Sequence, residues 1–210
     1  MALLAALVLV GINEVGHMRS QDAVRQMSQW QATRGTVNSL LQSMLDAETG
    51  QRGYLLTGSD IYLQPYDKAM TALQSHMDTL RNQFVDSKDD MLMVALLSRQ
   101  TSRKPAELEL SLRLRRQGNE DAWKFILHTD MGRENMDEIR KHAHALIERA
   151  TAKIQIGQAQ IVQSLMLSRI GIAVVTAIGL LAFFMYLRQA NALQVVSQRE
   201  QALLEPERDR

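Results

Sequence analysis

The sequence predicts an all-α protein with a C-terminal transmembrane helix, and three observations predict it. Leu, Ala, Gln, Met and Arg are abundant while aromatic residues make up 5%, a composition that favours helix over strand. Apolar residues recur at steps of three and four along most of the 210 residues, with three prolines and eleven glycines to interrupt them. One run, Ile170 to Leu187, holds 18 residues without a charge, bracketed by Arg169 and Arg188. At 1.5 Å per residue it covers roughly 27 Å, close to a hydrocarbon core about 30 Å thick. The arginines can snorkel to headgroups and Tyr186 suits the interface.

Composition also excludes. A net charge of +1, with acids and bases interspersed, does not point to nucleic acid. The absence of cysteine removes disulfides and thiolate metal sites. His142 and His144 are two apart, so on one helix they face away from each other; the other three histidines stand alone. No metal or cofactor site and no catalytic residue is expected, because no HExxH, GxSxG, Walker or dinucleotide-binding pattern is present.

In order along the chain, residues 1–12 contain the apolar run ALLAALVLVGI, too short to span a bilayer and without the basic start and cleavage site of a signal peptide. It reads as part of a first transmembrane helix. From Asn13 to Leu56 a polar helix carries the seam Val37, Leu41, Met44, Glu48, Gln51 and Leu55. Arg52 lies four residues after Glu48, the favourable orientation for a helical ion pair. Gly50 and Gly53 let a neighbour approach closely, while each weakens the helix by roughly 1 kcal/mol relative to Ala. Thr57-Gly58-Ser59-Asp60 is a turn, with Ser59 the expected N-cap of the next helix. That helix carries Tyr62, Tyr66, Met70 (or Ala69), Leu73, Met77, Leu80 and Phe84, with Pro65 kinking or restarting it early.

The polar segment from Asp86 to Asp90 breaks the chain before a third helix from about Met91 to Arg116. Leu108, Leu110, Leu112 and Leu114 alternate as in a strand, but no second strand exists to pair with them, so helix is expected. Pro105 can start a second segment. Asn119 is placed to cap a short helix with Trp123, Ile126 and Leu127 on one face. After Gly132 the stripe Met136, Ile139, Ala143, Leu146, Ala150, Ile154, Gly157, Ile161 and Leu165 feeds the apolar run without a proline. One helix of about 55 residues, roughly 80 Å long, is expected there. Leu193, Val196 and Leu203 continue it before EPERDR ends it.

Glu48 and Arg52 admit two readings: an interhelical clamp that fixes register, or a ligand contact or signalling switch. Arg140 and Asp137 on the last helix are their expected counterparts, from charge and pattern.

The stretch LLQSMLDAETGQRGYLLTGSDIYLQPY, and later RLRRQGNEDAWKFI followed by DMGRENMDEIR, resembles the type-three CHASE family, the cyclases/histidine kinases associated sensory extracellular domains. The resemblance covers roughly residues 13–164. It implies an antiparallel up-down, four-helix-like sensory bundle outside the cytoplasm of a bacterium, between a partial N-terminal membrane segment (1–12) and a transmembrane helix (165–187), with a cytoplasmic tail (188–210). It marks Asp46, Glu48, Thr49, Gly50, Gln51, Arg52, Gly53, Tyr54, Gly58, Tyr62, Pro65, Tyr66, Gly132, Met136, Ile139 and Arg140 as signature positions. It further implies the inner membrane as location, a homodimer, an unassigned ligand, and a kinase, cyclase or response-regulator output. The first membrane segment is short and the tail too small for an output domain, so either a longer receptor's input half or a stand-alone sensor is expected. A membrane-tethered scaffold that does not sense is the alternative.

Overall fold

A computed structural model describes residues 2–85 and 87–204. Among these, helix α1 spans Ala2–Thr57, a 3-10 turn spans Asp60–Tyr62, and α2 spans Leu63–Gln83. Then come α3 (Lys88–Arg116), α4 (Glu120–His128) and α5 (Met131–Leu204), and no strand is present among the described residues. The expectations for Asp86 and for the EPERDR end fall outside the described residues. So do the side chains of residues 2–9, 12 and 192–204, which include most of the first apolar run and Leu193, Val196 and Leu203.

The chain divides into two compact units. In the unit of residues 25–157, four helices share one apolar cluster. Val37, Leu40 and Met44 come from α1; Leu73, Met77, Leu80 and Phe84 from α2 and its end; Val94 and Leu97 from α3; Met136, Ile139, Ala143 and Leu146 from α5. A second cluster joins Ala47, Tyr54 and Leu55 to Tyr66, Ala69, Leu108, Leu112 and Trp123, so α4 takes the place that α5 holds in the first. Each buried aliphatic side chain contributes about 1.5–3 kcal/mol of burial, which makes these stripes the main reason the helices associate.

The joints follow from local chemistry. Gly58 ends α1 in the left-handed region at φ 71°, and its N–H donates to Tyr54 O at 2.7 Å. Thr57 Oγ1 donates to Gly53 O and accepts from Ser59 N–H. Ser59 precedes the 3-10 turn with extended backbone, and its own side chain caps nothing, contrary to expectation, because the threonine hydroxyl holds the turn. Pro65 lies in the first turn of α2, where a missing N–H costs little. Gly118, at φ 72°, ends α3 with Asn119 N–H donating to Leu114 O and Gly118 N–H to Arg115 O. Asn119 Oδ1 accepts from Ala122 N–H, the expected cap of α4.

Helix α3 runs through Pro105 without a second start. Its two halves pack in different clusters, Val94 and Leu97 in one, Leu108 and Leu112 in the other, and this packing outweighs one missing backbone bond. The alternating leucines resolve helically: Leu108 and Leu112 are buried, Leu114 is half-buried and Leu110 is exposed.

The start of α3 is tied to α5 by an ion pair that sequence reading missed. Asp90, 7% exposed, accepts from Ser87 Oγ at 2.6 Å and from Arg149 Nε at 2.8 Å. Burial pushes its pKa up, but the two hydrogen bonds and the charges of Arg149 and Lys153 outweigh burial and hold it below the usual carboxylate value. A lowered folded pKa stabilises above the unfolded value of about 3.9 and loses that contribution as pH falls through the folded pKa. In thermal melts, Asp90→Asn is therefore expected to be less stable than the wild type by a constant gap above about pH 5. That gap should close as acid titrates Asp90. A gap that widens on acidification would contradict the assignment.

In the second unit, formed by the first 24 residues and those from 158 onward, Ser168 Oγ donates to Asn13 Oδ1 at 3.4 Å. Here α5 is long and apolar enough to cross a membrane, and none of its most apolar window is buried. Leu180, Leu181, Phe183 and Phe184 are each at least 60% exposed, unlike the side chains of a soluble core helix.

Candidate functional site: a charged layer between two apolar clusters

The two apolar clusters of the bundle are separated by polar side chains where α4 gives way to α5. Lys104, on α3, is the centre of this layer and is only 1% exposed. Its Nζ donates to Gly132 O at 3.0 Å and to Glu107 Oε1 at 3.1 Å, and lies 3.9 Å from Glu48 Oε1. Glu48 Oε1 accepts from Arg52 Nη2 at 2.6 Å. Glu107 Oε2 accepts from Asn135 Nδ2 at 2.8 Å. One lysine thus joins α1, α3 and the first turn of α5.

Beside it, Gln51 Nε2 donates to Ser111 Oγ at 2.6 Å, and Ser111 Oγ donates to Leu108 O at 2.6 Å. Gln51 and Ser111 are both buried, so this chain of donors satisfies polar groups that water does not reach. A cavity of about 180 Å³ opens on the layer, lined by Arg52, Lys104, Glu107, His128 and Arg133 among others.

Gly132 is a requirement of this geometry. A Cβ there would stand 2.7 Å from Glu107 Oε1 and 3.1 Å from Lys104 Nζ, within the ion pair itself. A buried pair of this kind gains little net stability against a well-packed apolar isostere, while losing one partner is expensive. Its better-attested use is to fix register, and register is what a moving helix must change.

A second feature lies further along α1. A Cβ on Gly50 would stand 2.7 Å from Tyr62 O and 3.1 Å from Tyr66 N, and a Cβ on Gly53 would enter the Tyr62 ring. The glycines therefore admit the backbone that enters α2, the close approach expected of them. Tyr66 is buried there. Its hydroxyl pKa is raised by burial, with the carboxylates of Glu109 and Asp67 adding to the effect and Arg116 opposing it.

The signature residues thus separate into groups. Glu48, Gln51, Arg52 and Gly132 meet in the charged layer; Gly50, Gly53, Tyr62 and Tyr66 form the close approach. Tyr54 is in one apolar cluster, with the Arg116 guanidinium 5.8 Å from its ring centre. Met136 and Ile139 are in the other. Asp46 and Thr49 are exposed, Asp46 accepting from Gln42 Nε2. Gly58 makes the turn, and Pro65 is exposed on α2.

The expected counterpart is corrected. Arg140 pairs with Asp137 on its own helix face, at 3.0 Å and in solvent, and neither reaches Glu48. Met136, Ile139 and Ala143 turn inward, which points residues 137 and 140 away from the core. Lys104 takes the counterpart's place. Lys104, Glu107, Ser111 and Asn135 were missed, although one signal was available. Val94, Leu97, Thr101, Lys104, Leu108 and Ser111 step by three and four, which puts a lysine on a buried stripe.

Comparison with protein families finds the CHASE3 domain, matching residues 23–160. Among solved structures, the chain is similar to the sensor domain of the Rhodopseudomonas palustris histidine kinase HK9. That similarity is 24% identity over 67% of this chain and 98% of that one, with a TM-score of 0.39. Comparison with curated proteins gives no match.

Proposed function

The chain belongs to the CHASE3 domain family, and from that membership we propose that it is the membrane-anchored input module of a bacterial signalling system. The family is a sensory rather than a catalytic one. In this reading residues 13–164 lie outside the cytoplasm, 165–187 cross the inner membrane, and 188–210 lead to the cytoplasm. The first apolar residues are part of a preceding membrane segment. Two copies pair, and the output is a kinase, a cyclase or a response-regulator partner, in the same chain or another.

The observation that carries the reading is the span of α5. The helix that supplies Gly132 and Asn135 to the charged layer is the one that carries the exposed apolar run, within a single element from Met131 to Leu204. A cue that changes the partners of Lys104 biases where the first turn of α5 sits. A shift, rotation or tilt of that helix is then the message. The cue must bind one packing more tightly than the other; a tenfold difference is about 1.4 kcal/mol, within what one charged contact supplies.

Two experiments test this. A periplasm-active reporter inserted between Gln117 and Gly118 and a cytoplasm-active reporter fused after Arg210 should both be active in the full-length protein. A tail reporter active outside the cell would overturn the topology. For signalling, Glu48→Gln in a chain fused to a cyclase output should change output several-fold. Its melting temperature should move by only a few degrees, since glutamine keeps the shape of Glu48, Arg52 is 61% exposed, and Lys104 keeps its bonds to Glu107 and Gly132 O. Output unchanged by Glu48→Gln and by every other change in the layer would favour a scaffold without a sensing role.

A further inference from the structure

The cavity beside Lys104 has an imbalance of hydrogen-bonding groups. Lysine has three protons to place. Two acceptors lie within hydrogen-bond reach, Gly132 O and Glu107 Oε1, and the next, Glu48 Oε1, stands at 3.9 Å, too far for a hydrogen bond. A donor on a side chain 1% exposed therefore lines the cavity with no protein acceptor in range. The carboxylates around the same cavity each hold a partner already. Glu48 has Arg52, Glu107 has Lys104 and Asn135, and Asp130 has Arg133.

The remaining capacity is on the donor side. Arg52 gives one nitrogen to Glu48 and leaves the rest of its guanidinium towards solvent at the cavity wall. The ladder of α5 opens at Glu134 N–H donating to Asp130 O, so the amides of Met131, Gly132 and Arg133 precede its first bond.

We propose that this cavity binds a small monocarboxylate, one oxygen taking the third proton of Lys104 and the Arg52 guanidinium holding the group from the open side. The inference rests on the sensory reading and names the chemistry of its cue. A planar carboxylate matches the arginine fork. Size sets the upper limit: about 180 Å³ is well below the 300–1,000 Å³ of sites for drug-sized ligands. Charge sets the other limit. Arg52, Lys104 and Arg133 balance Glu48, Glu107 and Asp130, so one bound carboxylate already leaves the site at −1, and a second negative charge would add to that excess. Binding would draw Arg52 and Lys104 toward the ligand and loosen their hold on Glu48 and on the first turn of α5.

The test uses the full chain in detergent micelles, in a buffer free of carboxylate, with sodium acetate and sodium propionate as probes. Sodium chloride and inorganic phosphate at equal ionic strength are the comparators. Acetate or propionate should raise the melting temperature in proportion to the logarithm of its concentration once above the dissociation constant, by about 5–10 °C at a hundredfold excess. Arg52→Gln, at a side chain 61% exposed, should weaken the apparent affinity at least about tenfold, read as the shift from that variant's own ligand-free melting temperature. Arg140→Gln, which is remote from the cavity, should leave it unchanged. A shift that chloride or phosphate matches, one that Arg52→Gln retains, or none at all would overturn the proposal. The sensory reading fails separately: a cyclase fusion that responds to Glu48→Gln but binds no carboxylate keeps the sensor and removes this ligand.

Discussion

Lys104→Met is expected to lower the stability of the bundle by about 3–5 kcal/mol, a fall of about 10 °C in melting temperature for a chain of this size. Methionine matches the length and apolar stem of lysine, so the loss is not one of volume. It comes from the partners left behind. Glu107 loses the cation at 3.1 Å, Gly132 O loses its donor at 3.0 Å, and Glu48 keeps only Arg52. An unpaired charge in a closed layer carries the desolvation cost that the pair had offset. The double variant Lys104→Met, Glu107→Gln should recover part of the fall, because the second change removes the orphaned charge. The cycle of the two measures their coupling, expected to be at least about 1 kcal/mol. Additive effects would mean that the contact carries no energy of its own.

The second large effect is expected at Gly50. Alanine in place of a helical glycine ordinarily stabilises by about 1 kcal/mol. At Gly35, where a Cβ meets nothing within 4 Å, Gly35→Ala should show that gain. At Gly50 the sign reverses. The Cβ would stand 2.7 Å from a backbone oxygen and 3.1 Å from a backbone nitrogen of the segment that enters α2, and backbone cannot rotate aside as a side chain can. Overpacking of this kind costs about 1–3 kcal/mol, more than the propensity returns, so Gly50→Ala should melt lower than the wild type. Gly53→Ala collides instead with the ring of Tyr62, which is 40% exposed and can swing outward, so its penalty should be smaller. Thermal melts of the three alanine variants order the effects. Equal shifts at Gly35 and Gly50 would contradict the close approach.

These residues also show what could be read from the chain before its structure. The stripes of α1, α2 and α5 were legible because an apolar residue every three or four positions has one way to be buried, and Val37, Met44, Leu73, Leu80, Ile139 and Leu146 are buried. The turn at Gly58 and the cap at Asn119 were legible because their chemistry is local. The partner of Glu48 was not. Charge and pattern named Arg140, but which residues of two helices face each other depends on the rotation of each about its axis. On α5 the buried Met136 and Ile139 turn Arg140 to solvent. Lys104 falls on the three-and-four stripe of α3, but Pro105 beside it reads as the start of a second segment and the leucines beyond alternate like a strand, which masked the stripe. Asp90 and Arg149 were invisible for a different reason: their pairing spans 59 residues and leaves no local trace.

The central claim is that the charged layer, and not the surface of the bundle, sets the signal carried by α5. The measurement that tests it most directly is cyclase output from membranes bearing residues 1–204 fused to a diguanylate cyclase. Wild type, Glu48→Gln, Gly132→Ala and the surface control Arg140→Gln would be compared at matched protein levels, with melting temperatures taken in parallel. The account predicts output changed several-fold by Glu48→Gln and Gly132→Ala, in variants that still fold, and unchanged by Arg140→Gln. Wild-type output from both layer variants, or an equal change from Arg140→Gln, would contradict it.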